Sequence, residues 1–183
     1  MRIHAVLLLV LCVNLTAAAE ALKSGPQVGE ELQKTFEPVN LTGPDVGEKT
    51  CVLCEYGASP VVMVFAREVN EPLTRLIKRL DAATAQHKDR GVASCVILLS
   101  GEPESAKRLK QIAAQEKIQH TILRTYQAAG PKSYNVAQDA EITAILFLDR
   151  IVKANHVYKT GELQDKAIDD VVADIAKILP AQK

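Results

Sequence analysis

Two cysteines three positions apart, in Cys51-Val52-Leu53-Cys54, carry the most explicit chemistry in the sequence. Thiols at this spacing close a small ring whose disulfide exchanges with other thiols, and the same spacing supplies half the ligands of a tetrahedral zinc site. A third use is a static disulfide that staples a turn. The pair stands just ahead of an apolar run, in a turn region that continues to Tyr56-Gly57. On a hairpin beside a sheet neither sulfur would have a helix N-terminus, and Glu55 next door would raise a thiol pKa. A metal site would need further soft ligands, for which Cys95 and one of His87, His120 or His156 are available, but none stands at knuckle spacing to another. No metal is assigned on this basis. Cys95 lies within Cys95-Val96-Ile97-Leu98-Leu99 and reads as a small buried core residue. Exchangeable dithiol, staple and metal knuckle all remain consistent with the pair.

The compartment bears on which of these the thiols can do. Arg2 and His4 form a short polar head, Ala5 to Leu15 a compact apolar stretch, and Ala17-Ala18-Ala19 a small-residue cleavage site, the pattern of a secretory signal peptide. Leu11, ahead of Cys12, is too large for the usual lipoprotein processing site. The expected division is a leader over 1–21, an N-terminal extension over 22–49 and one domain over 50–183. Export to a periplasm or the exterior would let disulfides persist, and the mature chain would keep Cys51, Cys54 and Cys95.

Lys plus Arg and Asp plus Glu balance at 22 each, so no net field recruits nucleic acid. Trp is absent and aromatics make up 4%, which argues against a stacking platform for single strands. No segment after the leader approaches the ~20 apolar residues of a bilayer span, so stable membrane insertion is not expected. No cofactor is implied. The partner expected is a protein thiol or disulfide.

The elements that would position the cysteines begin at Val61-Val62-Met63-Val64-Phe65-Ala66, a continuous apolar run of the kind found in strands covered on both faces. Asn70 can cap a following helix with Pro72 in its first turn, and Leu73, Leu76, Ile77 and Leu80 form its buried stripe. Val92 to Leu99 predicts a second buried strand, Pro103 to Lys117 a helix, and Ile118 to Arg124 a shorter strand. Ile142 to Leu148 and Ile151 to Tyr158 are separated only by Asp149-Arg150, a tight hairpin. Gln164 to Leu179 closes the chain as an amphipathic helix facing inward with Ile168, Val171, Val172, Ile175 and Leu179. Gly25-Pro26, Gly29, Pro38, Gly43-Pro44 and Gly47 deny the extension long regular elements.

A β-α-β-α-β series followed by β-β-α resembles the thioredoxin fold, and Gly130-Pro131-Lys132-Ser133-Tyr134-Asn135-Val136 resembles the Tyr-x-Val turn of its peroxiredoxin-like branch. The resemblance runs from about Val28 to Leu179 and includes Val28-Gly29 and Phe36 in the leading segment. It implies an α/β, three-layer thioredoxin-like fold with a mixed central sheet and an N-terminal extension or hairpin. It also implies a redox cysteine just after the first central strand, where this chain has Ala66-Arg67-Glu68-Val69-Asn70, and a cis-proline where it has Ile142-Thr143. A cis bond outside proline costs several kcal/mol, so a trans peptide is expected there. Cys51 and Cys54, as a candidate thiol–disulfide redox pair, are displaced from the family's place; the alternative reading is a non-catalytic thioredoxin-like binding or structural domain in which they form a structural disulfide, or a metal-binding knuckle. In the vacated corner Arg67 is a candidate anion ligand beside the helix begun at Asn70, with Thr143 lining the same pocket by fold position. Asn40-Leu41-Thr42 matches a glycosylation sequon.

Overall fold

The computed structural model describes residues 22–180; the expected leader over 1–21 lies outside them. The described elements follow in the order β1 (Val39–Asn40), α1 (Val52–Tyr56), β2 (Val61–Ala66), α2 (Glu71–Gln86), β3 (Ala93–Leu99), α3 (Pro103–Gln115), β4 (Thr121–Tyr126), β5 (Ile142–Leu148), β6 (Ile151–Tyr158) and α4 (Asp165–Ala173). The strands form one mixed sheet in the order β1-β4-β3-β2-β5-β6. β2, β3 and β4 are parallel, and β1, β5 and β6 run antiparallel to their neighbours. This is the thioredoxin-like architecture, a central mixed sheet with helices on its faces.

Every residue of β2 is buried, as its unbroken apolar run requires of a strand packed on both faces. The α2 helix starts where Asn70 accepts a side-chain hydrogen bond from Leu73 N–H at 3.0 Å, with Pro72 in the first turn. At the β5–β6 hairpin Asp149 and Arg150 take φ of +51° and +64°, the left-handed pair that matches the twist of the flanking strands. All peptide bonds among the described residues are trans, Ile142–Thr143 included.

Several boundaries differ from the sequence expectation, among them the end of β4, which runs on to Tyr126 rather than stopping at Arg124. The third parallel strand begins at Thr121 rather than Ile118, because the Asp81 carboxylate of α2 accepts from the backbone N–H groups of Gln119, His120 and Thr121 at 3.1, 2.6 and 2.8 Å. The α3 helix stops at Gln115, and Lys117 turns to φ +56°. The last helix tightens to a 3₁₀ turn over Asp174–Lys177 instead of continuing to Leu179.

Period-two alternation divides the core between the two faces of the sheet. One face carries Val62, Val64, Val96, Leu98, Leu123 and Leu146 against α2, α3 and α4. The other carries Val61, Met63, Phe65, Cys95, Ile97 and Phe147 and is covered by α1, by Leu32 and Phe36 of the 22–49 segment and by Tyr134. Phe36, Phe65 and Tyr134 make edge-on or tilted ring contacts at 5.0–5.8 Å between centroids. The 22–49 segment thus contributes side chains to the same core as the sheet, although β1 and isolated bridges to Lys49 and Ile151 are its regular pairing.

Candidate functional site

Cys51 and Cys54 are joined by a disulfide, with Cα atoms 5.2 Å apart. They occupy the N-cap and first turn of α1, a short helix where the sequence showed a turn region, and not a hairpin beside the sheet. Val52 and Leu53, between the cysteines, are 0% and 2% exposed and anchor this turn on the sheet. Gly57 ends the helix at φ +55°, donating its N–H to the Leu53 carbonyl at 3.1 Å. Burial of two apolar side chains holds a five-residue helix that could not persist alone.

Cys51 is the N-cap, and its sulfur accepts the Cys54 backbone N–H at 3.1 Å. That donor favours negative charge on sulfur, so it would stabilise a Cys51 thiolate in the reduced pair. Cys54 is exposed and Cys51 intermediate, so solvent reaches the disulfide.

Beneath α1 lies a residue the sequence reading did not single out. The Arg124 side chain of β4 is 0% exposed and points to the same sheet face as Ile122 and Tyr126. Its Nη1 donates to Thr50 Oγ1, and its Nη2 donates to Glu55 Oε2 at 2.6 Å and to Tyr56 Oη at 3.3 Å. The guanidinium carbon stands 5.8 Å from the centre of the Tyr56 ring. Nε of Arg124 is buried without a partner. Thr50 continues the network by donating to Asn40 Oδ1 at 3.1 Å. Asn40 is itself 3% exposed, which removes the sequon side chain from glycosylation chemistry in the folded chain. The sequence signal for Arg124 was its alternation with Ile122 and Tyr126; reading the strand as ending at residue 124 disguised an inward position as a terminus.

This network changes the expected electrostatics of the cysteine pair. Glu55 is engaged by Arg124, so its repulsion of a neighbouring thiolate is offset by the cation that binds it. Burial pushes the Tyr56 phenol up, with Cys95 adding to the rise and Arg124 opposing it. Cys95 is wholly buried, and its thiol is pushed up to about 12 by burial, against a smaller lowering by Arg124. It is a neutral core thiol at physiological pH, as its apolar setting suggested.

Arg67 follows the last residue of β2. Its Nη1 donates to the Ala128 carbonyl at 2.8 Å, its Nη2 to those of Ala137 at 3.1 Å and Val136 at 3.4 Å, and its Nε to Ala137 at 3.3 Å. Burial lowers its pKa. The guanidinium therefore ties down the segment between β4 and β5. Arg67 also borders an open cavity of about 550 Å³ shared with Glu68, Ser100, Ser105 and Arg108. Thr143 is 1% exposed, and its hydroxyl pairs with Ser24 Oγ at 2.6 Å. The structure thus does not bring Thr143 to the cavity beside Arg67.

His156 binds Asp174 through Nε2 at 2.9 Å, and no group of three or more His, Cys, Asp or Glu with metal-holding geometry occurs among the described residues. Nor does any described helix have the length and apolarity to cross a membrane.

No protein-family model matches the sequence, and no curated protein matches it. Solved structures do match its fold. A candidate protein disulfide isomerase from Bacteroides thetaiotaomicron superposes with a TM-score of 0.64 at 16% identity, covering 86% of this chain and 94% of that one. The peroxidoxin BcpB from Mycobacterium tuberculosis gives 0.59 at 15% identity, covering 86% and 99%. A secreted Mycobacterium tuberculosis disulfide oxidoreductase, homologous to DsbE of E. coli, gives 0.55 at 9% identity, covering 78% and 96%. At these identities the likeness establishes the thioredoxin-like fold, and activity has to be argued from the site.

Proposed function

We propose that this chain is an extracytoplasmic thiol–disulfide exchange protein whose working pair is Cys51 and Cys54. The observation that carries the reading is a solvent-accessible disulfide in the first turn of α1, with a backbone N–H directed at the Cys51 sulfur. The leader read at residues 1–21 and the secreted disulfide oxidoreductase among the fold's relatives support the compartment.

Exposure and hydrogen bonding give the two sulfurs different roles. A partner thiolate attacks the accessible Cys54 sulfur, forming a mixed disulfide, and the Cys51–Cys54 bond breaks with its electron pair passing to Cys51. The Cys54 N–H stabilises the departing Cys51 thiolate, and a sulfur that leaves as a stabilised thiolate leaves faster. A second thiol of the partner then attacks the mixed disulfide, releasing Cys54. The partner dithiol ends as a disulfide, and this chain gains two electrons and two protons as a pair of thiols. The reverse sequence oxidises the pair.

Glutathione-buffer titration of the leader-free protein, with thiols counted by mass spectrometry, tests the reading. A potential between about −120 and −270 mV falls in the range of exchange catalysts. A pair still oxidised below about −300 mV overturns exchange and leaves a stabilising staple. The attachment of Thr50 and Glu55 to one buried guanidinium favours that second reading, because it fixes both flanks of the disulfide.

In the vacated corner, Arg67 remains the proposed ligand for an anion entering the open cavity, through the one Nη1–H that its four carbonyl contacts leave over. Thr143 would act there only indirectly, through Ser24, which also accepts the Ala137 N–H at 2.9 Å beside the carbonyl that Arg67 binds.

A further inference from the structure

The residues that Arg124 binds have a particular relation to the cysteines. Thr50 immediately precedes Cys51, and Glu55 and Tyr56 immediately follow Cys54. One guanidinium, fixed in β4 with its side chain 0% exposed, therefore holds the chain on both sides of the four-residue motif. β4 lies between β1 and β3 in the sheet, so the anchor is a paired strand rather than a mobile loop.

We infer that Arg124 is a positioning residue that sets the redox potential of the Cys51–Cys54 pair by bracing the reduced motif in the conformation that closes the disulfide. The inference rests on the exchange reading for its biological meaning. Reducing the disulfide removes the covalent closure between residues 51 and 54. With the brace in place, Thr50 and Glu55 stay bound to the same group, α1 stays wound, and the two thiols stay neighbours. Such a pair has a high effective concentration, which favours the disulfide. Without the brace the reduced segment gains conformational freedom that the oxidised one is denied, and the equilibrium moves toward the dithiol.

A purely electrostatic role would behave differently. If Arg124 acted only by stabilising a thiolate, its removal would disfavour the reduced form, whereas removal of the Glu55 charge would favour it. The two substitutions would shift the potential in opposite directions. Bracing makes both shifts the same sign, because Arg124→Met cuts the tie and Glu55→Gln weakens it by removing the charge that strengthens the hydrogen bond.

The experiment equilibrates wild type, Arg124→Met, Glu55→Gln and Thr50→Val with dithiothreitol, whose two thiols close into a cyclic disulfide as Cys51–Cys54 takes up two electrons and two protons. Thiol counting after quenching gives each equilibrium constant. Arg124→Met is expected to make the pair about tenfold easier to reduce, a rise of about 30 mV for this two-electron couple. Glu55→Gln and Thr50→Val are expected to move it in the same direction by a smaller factor. Thr50→Val removes a partner of Arg124 without changing any charge, so electrostatics alone predicts no shift there, and that variant supplies the test even if Arg124→Met does not fold. Opposite shifts for Arg124→Met and Glu55→Gln, or an unchanged equilibrium in folded Thr50→Val, overturn the brace. The wild-type potential tests exchange chemistry, while the differences among variants test Arg124, so either idea fails without the other.

Discussion

Two arginines leave the sheet at different places and do different work. Arg67, at the C-terminal end of β2, satisfies backbone carbonyls of the segment between β4 and β5. Arg124, inside β4, binds side chains flanking the cysteine pair. The first occupies the corner where the resembling family keeps its redox cysteine, and there it organises a loop. The second sits under a helix that the sequence presents as a turn, and there it touches both sides of a disulfide. Conserving an architecture does not fix where its chemistry stands, because a corner can be filled with structural hydrogen bonds while a short helix on the sheet face takes up the reactive groups.

The comparison breaks if Arg67 also controls the cysteines. Arg67→Met leaves the carbonyls of Ala128, Val136 and Ala137 without the donors that organise their segment. Hydrogen bonds to charged groups contribute roughly 1.5–3 kcal/mol each and are not additive, so a loss of about 3 kcal/mol is expected, read as a lower urea midpoint. The dithiothreitol equilibrium of the Cys51–Cys54 pair is expected to stay within twofold of wild type. A tenfold change would mean that the corner and α1 form one functional unit.

The elements most legible in the sequence were those specified locally. The apolar run of β2, the Asn70 cap and the Asp149-Arg150 hairpin each depend on residues within a few positions. The Cys51–Cys54 bond is one of the uses that the spacing left open, beside a metal knuckle. What escaped was set by distant partners. The start of β4 is fixed by Asp81, roughly forty residues earlier, and Thr143 is claimed by Ser24, 119 positions away. The α1 helix is a clearer case: five residues carry too little intrinsic helicity to announce themselves, and the burial of Val52 and Leu53 that holds them is visible only once the sheet exists. Arg124 escaped for a related reason, because a charge in a strand reads as an edge until its inward direction is known.

The next largest effect sharpens the account of α1. Replacing Cys51 and Cys54 together by Ser removes a loop closure spanning a four-residue segment, for which chain entropy gives a loss of about 2 kcal/mol. Urea unfolding of this variant, compared with the oxidised wild type, measures it. The described contacts of Val52, Leu53 and Arg124 do not require the disulfide, so near- and far-ultraviolet circular dichroism in water should remain close to wild type. Loss of the near-ultraviolet signal would show that the disulfide holds α1, rather than α1 presenting the disulfide.

The smallest effect concerns the third cysteine, which shares the sheet face with Arg124 and is wholly buried. Cys95 is pushed up to about 12 by burial, whereas an unfolded thiol titrates near 8.5. Below about pH 8.5 both states keep the proton, and any stability associated with its neutral burial is fully present. Above that value the unfolded chain releases a proton that the folded chain retains, so stability falls as pH rises toward the folded pKa. The limiting slope is about 1.4 kcal/mol per pH unit, and between pH 9 and 10 the loss assigned to Cys95 should be about 1.2 kcal/mol. Comparing urea midpoints of wild type and Cys95→Ala across that interval isolates it, since the disulfide-bonded cysteines do not titrate and the packing lost in the variant is independent of pH. The variant should be less stable at pH 7 and have a flatter profile above pH 8.5. Iodoacetamide at pH 8 should leave Cys95 unmodified in the folded protein and label it once urea unfolds the chain. Labelling of native Cys95 at the rate of an exposed thiol would place a third reactive sulfur beneath α1 and undo the distinction between the accessible pair and the sealed core.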